Sequence, residues 1–203
     1  NGSIDEVKIF NRSLSAAEVQ AEYQMMSYGS TEKDAQGTPA PDIPIALWHF
    51  DDNVSNTRVE DFFGGNNATL SNATFTVGVF GTNGLSFNGI NATVIGPAVQ
   101  SLNLSSNLTI ILWTNSLDGN DTNAYLVSKY STGVLPSFGI SRNLSHVICT
   151  IANSTSNQSA RASVSLNSWQ HVACVYNQTE LSIYLNGAKA NSSPFAGAIN
   201  ITT

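Results

Sequence analysis

Charge is scarce in this sequence. Only 11% of the 203 residues are Asp, Glu, Lys or Arg, against about 25% in average soluble domains. The eight Lys and Arg are outnumbered by fourteen Asp and Glu, for a formal net charge of −6. No basic cluster is present to neutralise phosphates, so the expectation is no nucleic-acid partner. Long hydrophobic runs are missing as well. Stretches such as Leu108–Trp113 fall far short of the roughly 20 apolar residues of a membrane span, and no basic-then-apolar signal segment opens the chain. The sequence starts at Asn1 rather than Met, which reads as a processed product or a fragment. There are two cysteines, with no Cys-x-x-Cys and no Cys/His cluster, so neither a zinc site nor any other cofactor is expected.

Asn, Ser and Thr take the place of charge. The pattern Asn-x-Ser/Thr occurs at Asn1, Asn11, Asn53, Asn67, Asn72, Asn91, Asn103, Asn107, Asn120, Asn143, Asn153, Asn157, Asn177, Asn191 and Asn200, fifteen of the twenty-three asparagines. With 26 Ser and 17 Thr in the chain, chance would give roughly five acceptor patterns. The excess points to a chain at the cell surface or outside the cell, coated with covalent N-glycans that supply the solubility its few charges do not. Cys149 and Cys174 suit such a compartment. Each lies in a strand-like run, His146–Ile151 and Trp169–Tyr176, which makes a bridge between neighbouring strands plausible; two buried free thiols are the alternative.

Three pieces follow one another. Residues 1–26 hold a β-branched run, Ser3–Phe10, with Val7 and Ile9 on one side of a pleat. A capping box, Ser15-Ala-Ala-Glu18, then starts a helix from Ala16 to about Met26, with Val19, Tyr23 and Met26 along one stripe. Residues 27–44 contain Pro39, Pro41 and Pro44 among Gly, Thr and charge, the composition of a linker. Residues 45–203 read as all-β. Short apolar runs recur at Ala46–Phe50, Gly84–Phe87, Ala92–Ile95, Leu108–Thr114, Ala124–Lys129, Ser137–Ile140, His146–Ile151, Ala162–Leu166, Trp169–Tyr176 and Leu181–Leu185. Gly64-Gly65, Asn83-Gly84, Asn88-Gly89 and Asn186-Gly187 are the expected positive-φ turns between them. That spacing predicts a sandwich or barrel.

Leu47-Trp-His-Phe-Asp-Asp52, Asp61-Phe-Phe-Gly-Gly-Asn-Asn-Ala-Thr-Leu70, Phe80–Gly89, Leu108–Trp113, Trp169-Gln-His-Val-Ala173 and Leu181–Gly187 together resemble a laminin G-like domain. The resemblance implies the jelly-roll β-sandwich of the concanavalin A-like lectin/glucanase superfamily, in the style of tandem-repeat microbial surface proteins. It covers about Ile45 to Thr203. Residues 2–15 and the helix after them resemble the stretch that ends such a domain, which implies the final strand of one domain ahead of a domain lacking its own. Burying Ile4, Val7 and Ile9 contributes roughly 1.5–3 kcal/mol each before costs, comparable in sum with the ~5–15 kcal/mol net stability of a domain. Something must therefore fill the slot.

The first expectation is a structural subunit of an extracellular filament: the strand carrying Ile4, Val7, Ile9 and Phe10 enters an adjacent copy head-to-tail, or the repeats are tandem in one polypeptide. The alternative is a carbohydrate-binding or adhesion module. The resemblance implies ligand loops, and in some members calcium, at one end of the sandwich; Asp51, Asp52, Asp61, Asp118 and Asp121 are the candidate ligands, with ordinary turn carboxylates as the competing reading. An enzyme is not expected. Glycosidases on this fold need paired carboxylates on one concave strand, whereas Glu60 and Asp61 are adjacent and Glu180 stands alone. No Gly-x-Ser-x-Gly elbow is present. His49, His146 and His171 are read as packing or hydrogen-bonding residues, and Trp48, Trp113 and Trp169 as core rather than sugar platforms.

Overall fold

A computed structural model describes residues 1–26, 43–51, 57–80, 83–117, 124–130 and 136–200. Its elements in chain order are β1 (Gly2–Phe10), α1 (Ala16–Met26), β2 (Ala46–Trp48), β3 (Arg58–Val59), β4 (Ala68–Ser71), β5 (Thr74–Val77), β6 (Asn83–Phe87), β7 (Thr93–Ile95), β8 (Leu108–Ser116), β9 (Ala124–Tyr130), β10 (Pro136–Asn143), β11 (His146–Ala152), β12 (Asn157–Ser163), β13 (Trp169–Tyr176), β14 (Glu180–Leu185) and β15 (Ala188–Pro194). An eight-stranded sheet runs β15-β14-β13-β8-β1-β6-β5, with β2 also paired to β1. A four-stranded sheet, β12-β11-β10-β9, and a three-stranded one, β3-β4-β7, complete the sandwich. This is the all-β jelly-roll architecture expected.

The N-terminal strand lies at the centre of the chain's own large sheet. Along one side β1 pairs antiparallel with β8; along the other, Gly2–Ile4 pair with β6 and Val7–Ile9 with β2. Ile4 and Val7 are three residues apart, so an unbroken pleat would send them to opposite faces. The register jumps between Asp5 and Lys8, and Glu6 has φ 52°. That bulge resets the phase, and Ile4, Val7 and Ile9 all enter the inner core. The slot left by the missing final strand is thus filled within one chain, which removes the need for a neighbouring copy to close the fold. The proposed linker falls almost wholly on residues outside those described; Ile43 and Pro44 lead into β2.

The outer face of the large sheet is covered by α1. The capping box forms as predicted: Ser15 N–H donates to Glu18 Oε2 at 2.5 Å, and Glu18 N–H to Ser15 Oγ at 3.3 Å. Val19 is fully buried with Phe10, Leu14, Ile111, Ala173, Val175 and Tyr184. Lys8 and Glu22 form an ion pair of 3.1 Å beneath the helix, both nearly inaccessible. Because β8 is covered on both faces, Leu108–Trp113 is buried throughout rather than alternately, and apolar apart from Thr109.

Three expectations need correction. Cys149 and Cys174 do form a disulfide, with Cα atoms 5.7 Å apart, but they join β11 of the four-stranded sheet to β13 of the large sheet. The bridge crosses the core rather than linking neighbouring strands; both cysteines sit at inward positions of alternating strands. Asn83-Gly84 is not a turn but the start of β6, where Gly84 packs against the Gly78 backbone and the Asp5 carboxylate. Gly64, Gly89 and Gly187 do adopt positive φ. The run Ala162–Leu166 gives way to β12 at Asn157–Ser163, whose inward residues are the small Ala160 and Ala162.

The layers are tied together along one side. The disulfide links β11 to β13 across the core, and beyond it β12 and β15 are stitched together: Asn191 Nδ2 donates to Arg161 O (3.2 Å), Ser193 Oγ to Ser159 O (2.9 Å) and Gln158 Nε2 to Pro194 O (3.4 Å). At the other side, β7 and β9 each end a sheet without pairing to one another.

Candidate functional site

Residues Asp61–Asn67 form a loop pinned from below by one carboxylate. Asp61 is 3% exposed. Its Oδ1 accepts the Leu47 N–H at 2.9 Å, and its Oδ2 accepts the Asn66 N–H and Nδ2 at 3.0 and 2.8 Å. Asn66 is buried in turn; it donates to Ile45 O, while its own carbonyl receives Trp48 Nε1–H, each at 3.0 Å. Gly64, at φ 81°, makes the bend and closes it through Gly64 N–H to Asp61 O at 2.7 Å. The loop is thereby fastened to β2.

On this rigid base stand two outward-facing rings. Phe62 is 58% exposed and Phe63 43%. Phe62 makes edge contacts of 5.3 Å with both Phe63 and His49. His49 Nδ1 lies 2.8 Å from Glu6 Oε2, so the bulge in β1 buttresses the platform. Exposed aromatics held in fixed orientation, flanked by polar groups, suit stacking against the apolar face of a sugar ring. Sequence reasoning used Asp61-Phe-Phe as a fold motif and missed the two phenylalanines as contact residues. The available signal was a pair of large rings inside a Gly/Asn-rich turn, where a core role is hard to satisfy.

Of the five calcium candidates, the two that are described, Asp51 and Asp61, are engaged in hydrogen bonds to the backbone. Asp61 is consumed by the loop, Asp51 Oδ1 accepts the Asn83 N–H at 2.9 Å, and Asp52, Asp118 and Asp121 lie outside the described residues. Among the described residues no group of three His, Cys, Asp or Glu is placed to hold a metal. Glu60 pairs with Arg58 at 3.5 Å, and Glu180 with Ser182 and Lys189.

Thirteen of the fifteen sequon asparagines are described, Asn53 and Asn120 falling outside, and all thirteen are at least partly exposed. Asn153 and Asn177 organise hairpin turns. Asn153 Oδ1 accepts from Thr155 Oγ1 (3.0 Å) and Asn177 Oδ1 from Thr179 Oγ1 (2.8 Å), along with nearby backbone N–H groups. Asn67 differs, its Oδ1 receiving the Asp61 N–H at 2.8 Å beneath the loop.

His171 is wholly buried against Trp113 and Tyr23, with ring centroids 5.4 and 5.6 Å away. Neither ring nitrogen has a hydrogen-bond partner. Burial, aided by the nearby Lys8 charge, pushes its pKa down to about 3. Trp48 and Trp113 are core residues as expected, and Trp169 is half-buried.

Comparison with known proteins agrees with this fold. No curated protein matches the chain by sequence. Among solved structures, the binding domain of botulinum neurotoxin DC in complex with SialylT aligns at TM-score 0.54 and 16% identity, covering 76% of this chain and 40% of that one. A botulinum neurotoxin type C structure, titled for its interaction with two ganglioside molecules, aligns at TM-score 0.54 and 19% identity over 71% of this chain and 38% of that one. Domain 4 of AbnA, an extracellular arabinanase from Geobacillus stearothermophilus in complex with arabinotriose, aligns at TM-score 0.52 and 16% identity over 75% and 81%. The chain spans less than half of the neurotoxin chains, and at these identities the likeness is one of fold. The laminin G-like model described as the concanavalin A-like lectin/glucanases superfamily matches residues 88–203, more than half of the sequence. With the jelly-roll topology and a matching family model, the chain belongs to the laminin G-like family of that superfamily.

Proposed function

We propose that the chain is an extracellular, N-glycosylated binding module that engages saccharide surfaces through Phe62 and Phe63. The observation that carries this reading is the exposed ring pair on a loop fixed by the buried Asp61. The superfamily supports it, because structural neighbours are titled for complexes with arabinotriose and a sialyl ligand. The module is read as non-catalytic, since among the described carboxylates Asp51, Asp61, Glu60 and Glu180 serve loop and strand contacts. The test is affinity electrophoresis and glycan-array binding of the native protein and of Phe62→Ala/Phe63→Ala. At least a tenfold loss with an unchanged melting temperature is expected. Equal binding by both proteins, or no saccharide bound by the native one, overturns the reading.

A second reading keeps the chain as a filament subunit, by exchange of β1 between copies rather than through an open slot. A strand that closes its own sandwich makes the same contacts when it enters an identical neighbour, so exchange of β1 between copies links them head-to-tail. Ser3 pairs with Asn115 across β1 and β8. Mixing Ser3→Cys with Asn115→Cys chains under oxidising conditions gives a disulfide-linked heterodimer when strands exchange. Monomers alone sink this second reading and leave the first intact.

A further inference from the structure

On the side where β7 and β9 end their sheets unpaired, a cavity of about 620 Å³ lies between the layers. Its floor is the inner face of β1, Ile4, Val7 and Ile9, closed by Trp48 and Phe138. A second chamber of about 220 Å³ continues from it, and Ile4, Phe87, Ala92, Thr93, Tyr125 and Leu126 line both. Consecutive residues of β7 (Thr93, Val94, Ile95) and of β9 (Tyr125 to Lys129) border the larger chamber. A strand that offered only one face would contribute every second residue. The groove is therefore flanked by strand edges and reaches the surface between them. Apolar residues stand exposed at its lip: Ile90 at 87%, Ile95 at 65% and Tyr125 at 43%.

The charge of this groove is the reverse of the chain's. Among the described lining residues are two of the eight basic side chains, Lys129 and Arg142, and none of the fourteen acidic ones. Arg142 is fully buried in the smaller chamber beside Thr114 and Ser116. Lys129 is half-buried at the opposite end of β9, paired with Phe138, where loss of hydration lowers its pKa. An anion at the mouth would restore what that ammonium has lost in solvation.

We infer that this groove binds a long-chain anionic amphiphile, its aliphatic tail against Ile4, Val7 and Ile9 and its acidic head at Lys129. The combined chambers fall within the ~300–1,000 Å³ of small-ligand sites. A single chain of a dozen or more methylenes leaves water for this apolar lining, and the lysine sets its polarity and orientation. This site is separate from the aromatic loop and independent of saccharide binding.

The experiment uses the intact native protein and 11-(dansylamino)undecanoic acid as a fluorescent probe. A saturable rise in emission at one probe per chain is expected, with displacement by hexadecanoate and by hexadecyl phosphate. Hexadecanoate alone displacing the probe assigns a carboxylate head; both doing so assigns any acidic head. Lys129→Glu lowers affinity at least tenfold, and Val94→Trp, which fills the chamber, abolishes binding. Circular dichroism and melting temperature report whether each variant folds, and if Val94→Trp does not, Lys129→Glu and the displacement series decide. Absent saturation, displacement by hexadecanol as good as by hexadecanoate, or unchanged affinity in Lys129→Glu overturns the inference. So does loss of the probe site on self-association, which would make a second copy the occupant.

Discussion

Replacing Asp5 by Asn should expose a pH dependence that the native chain conceals. Asp5 is wholly inaccessible, in a niche walled by Gly78 and Gly84. Its Oδ1 accepts the Glu6 N–H and its Oδ2 the Val79 N–H, each at 2.9 Å. Burial outweighs these two donors and, with the neighbouring Glu6 and Asp51 charges, raises its pKa from 3.8 to about 7. The unfolded chain titrates near 3.8. Protonated Asp5 therefore contributes its stability in full below that pH and loses it as pH rises through about 7. At ~1.4 kcal/mol per pH unit, the whole effect is about 4 kcal/mol. His171 has the opposite sign. Its pKa falls from 6.5 to about 3, so its contribution is complete above 6.5 and is lost as pH drops toward 3, about 5 kcal/mol in all. Between about pH 4 and 6.5 the two slopes cancel. Urea unfolding at half-unit steps should find the stability of Asp5→Asn, relative to native, climbing by ~1.4 kcal/mol per unit across that window. The amide nitrogen now faces an N–H donor, which adds a constant offset, so the slope is the readout. Parallel curves would refute the assignment of a protonated Asp5, and the mirror-image slope is expected for His171→Gln.

Three further outcomes are expected. Replacing both cysteines by Ala opens a loop of 25 residues and should lower stability by about 3.5 kcal/mol from restored chain entropy; guanidinium unfolding midpoints of the two proteins measure this. Lys8→Met takes the 3.1 Å ion-pair partner from the buried Glu22 and costs up to about 3–5 kcal/mol, whereas Lys8→Met with Glu22→Leu recovers most of it; a double-mutant cycle by thermal unfolding checks the coupling. Peptide mapping after enzymatic deglycosylation in ¹⁸O-water should find Asn153 and Asn177 occupied, since both present hairpin turns to solvent, and Asn67 unmodified beneath its loop.

The sandwich was legible because its inner strands carry signals that only packing explains. Leu108–Trp113 and Trp169–Tyr176 are too apolar to be anything but covered strands, and the Asn186-Gly187 turn announces the β14–β15 hairpin. β15 itself, Ala188–Pro194, was not legible. It is a polar edge strand held by side-chain bonds to β12, so hydrophobic periodicity has nothing to register. The aromatic loop was half legible: Asp61 stood out, but its several hydrogen-bond partners come from Leu47, Phe63 and Asn66, and no spacing rule brings those together. The amphiphile cavity had no sequence signal at all. It arises because one side of the sandwich is cross-linked and the other is not.

The scarcity of charge gives β1 its meaning. Of twenty-two charged residues in the chain, three sit on this strand, and all three are buried: Asp5 at 0%, Glu6 at 7% and Lys8 at 3% exposure. Apolar contacts alone would hold β1 in any register that keeps small hydrophobes inward, because a slip by two residues preserves the face. The charged residues remove that freedom. Asp5 fits only where Gly78 and Gly84 leave room for a carboxyl, Glu6 reaches His49 only from the bulge, and Lys8 meets Glu22 only beneath α1. A slip would leave the Glu6 and Lys8 charges buried away from these partners, each costing several kcal/mol, and would force the Asp5 carboxyl out of its niche. These pairings act alike whether β1 closes its own sandwich or a neighbour's. The helix that supplies Glu22 travels with β1, whereas the niche and His49 belong to the accepting domain, so two of the three keys test the identity of the acceptor.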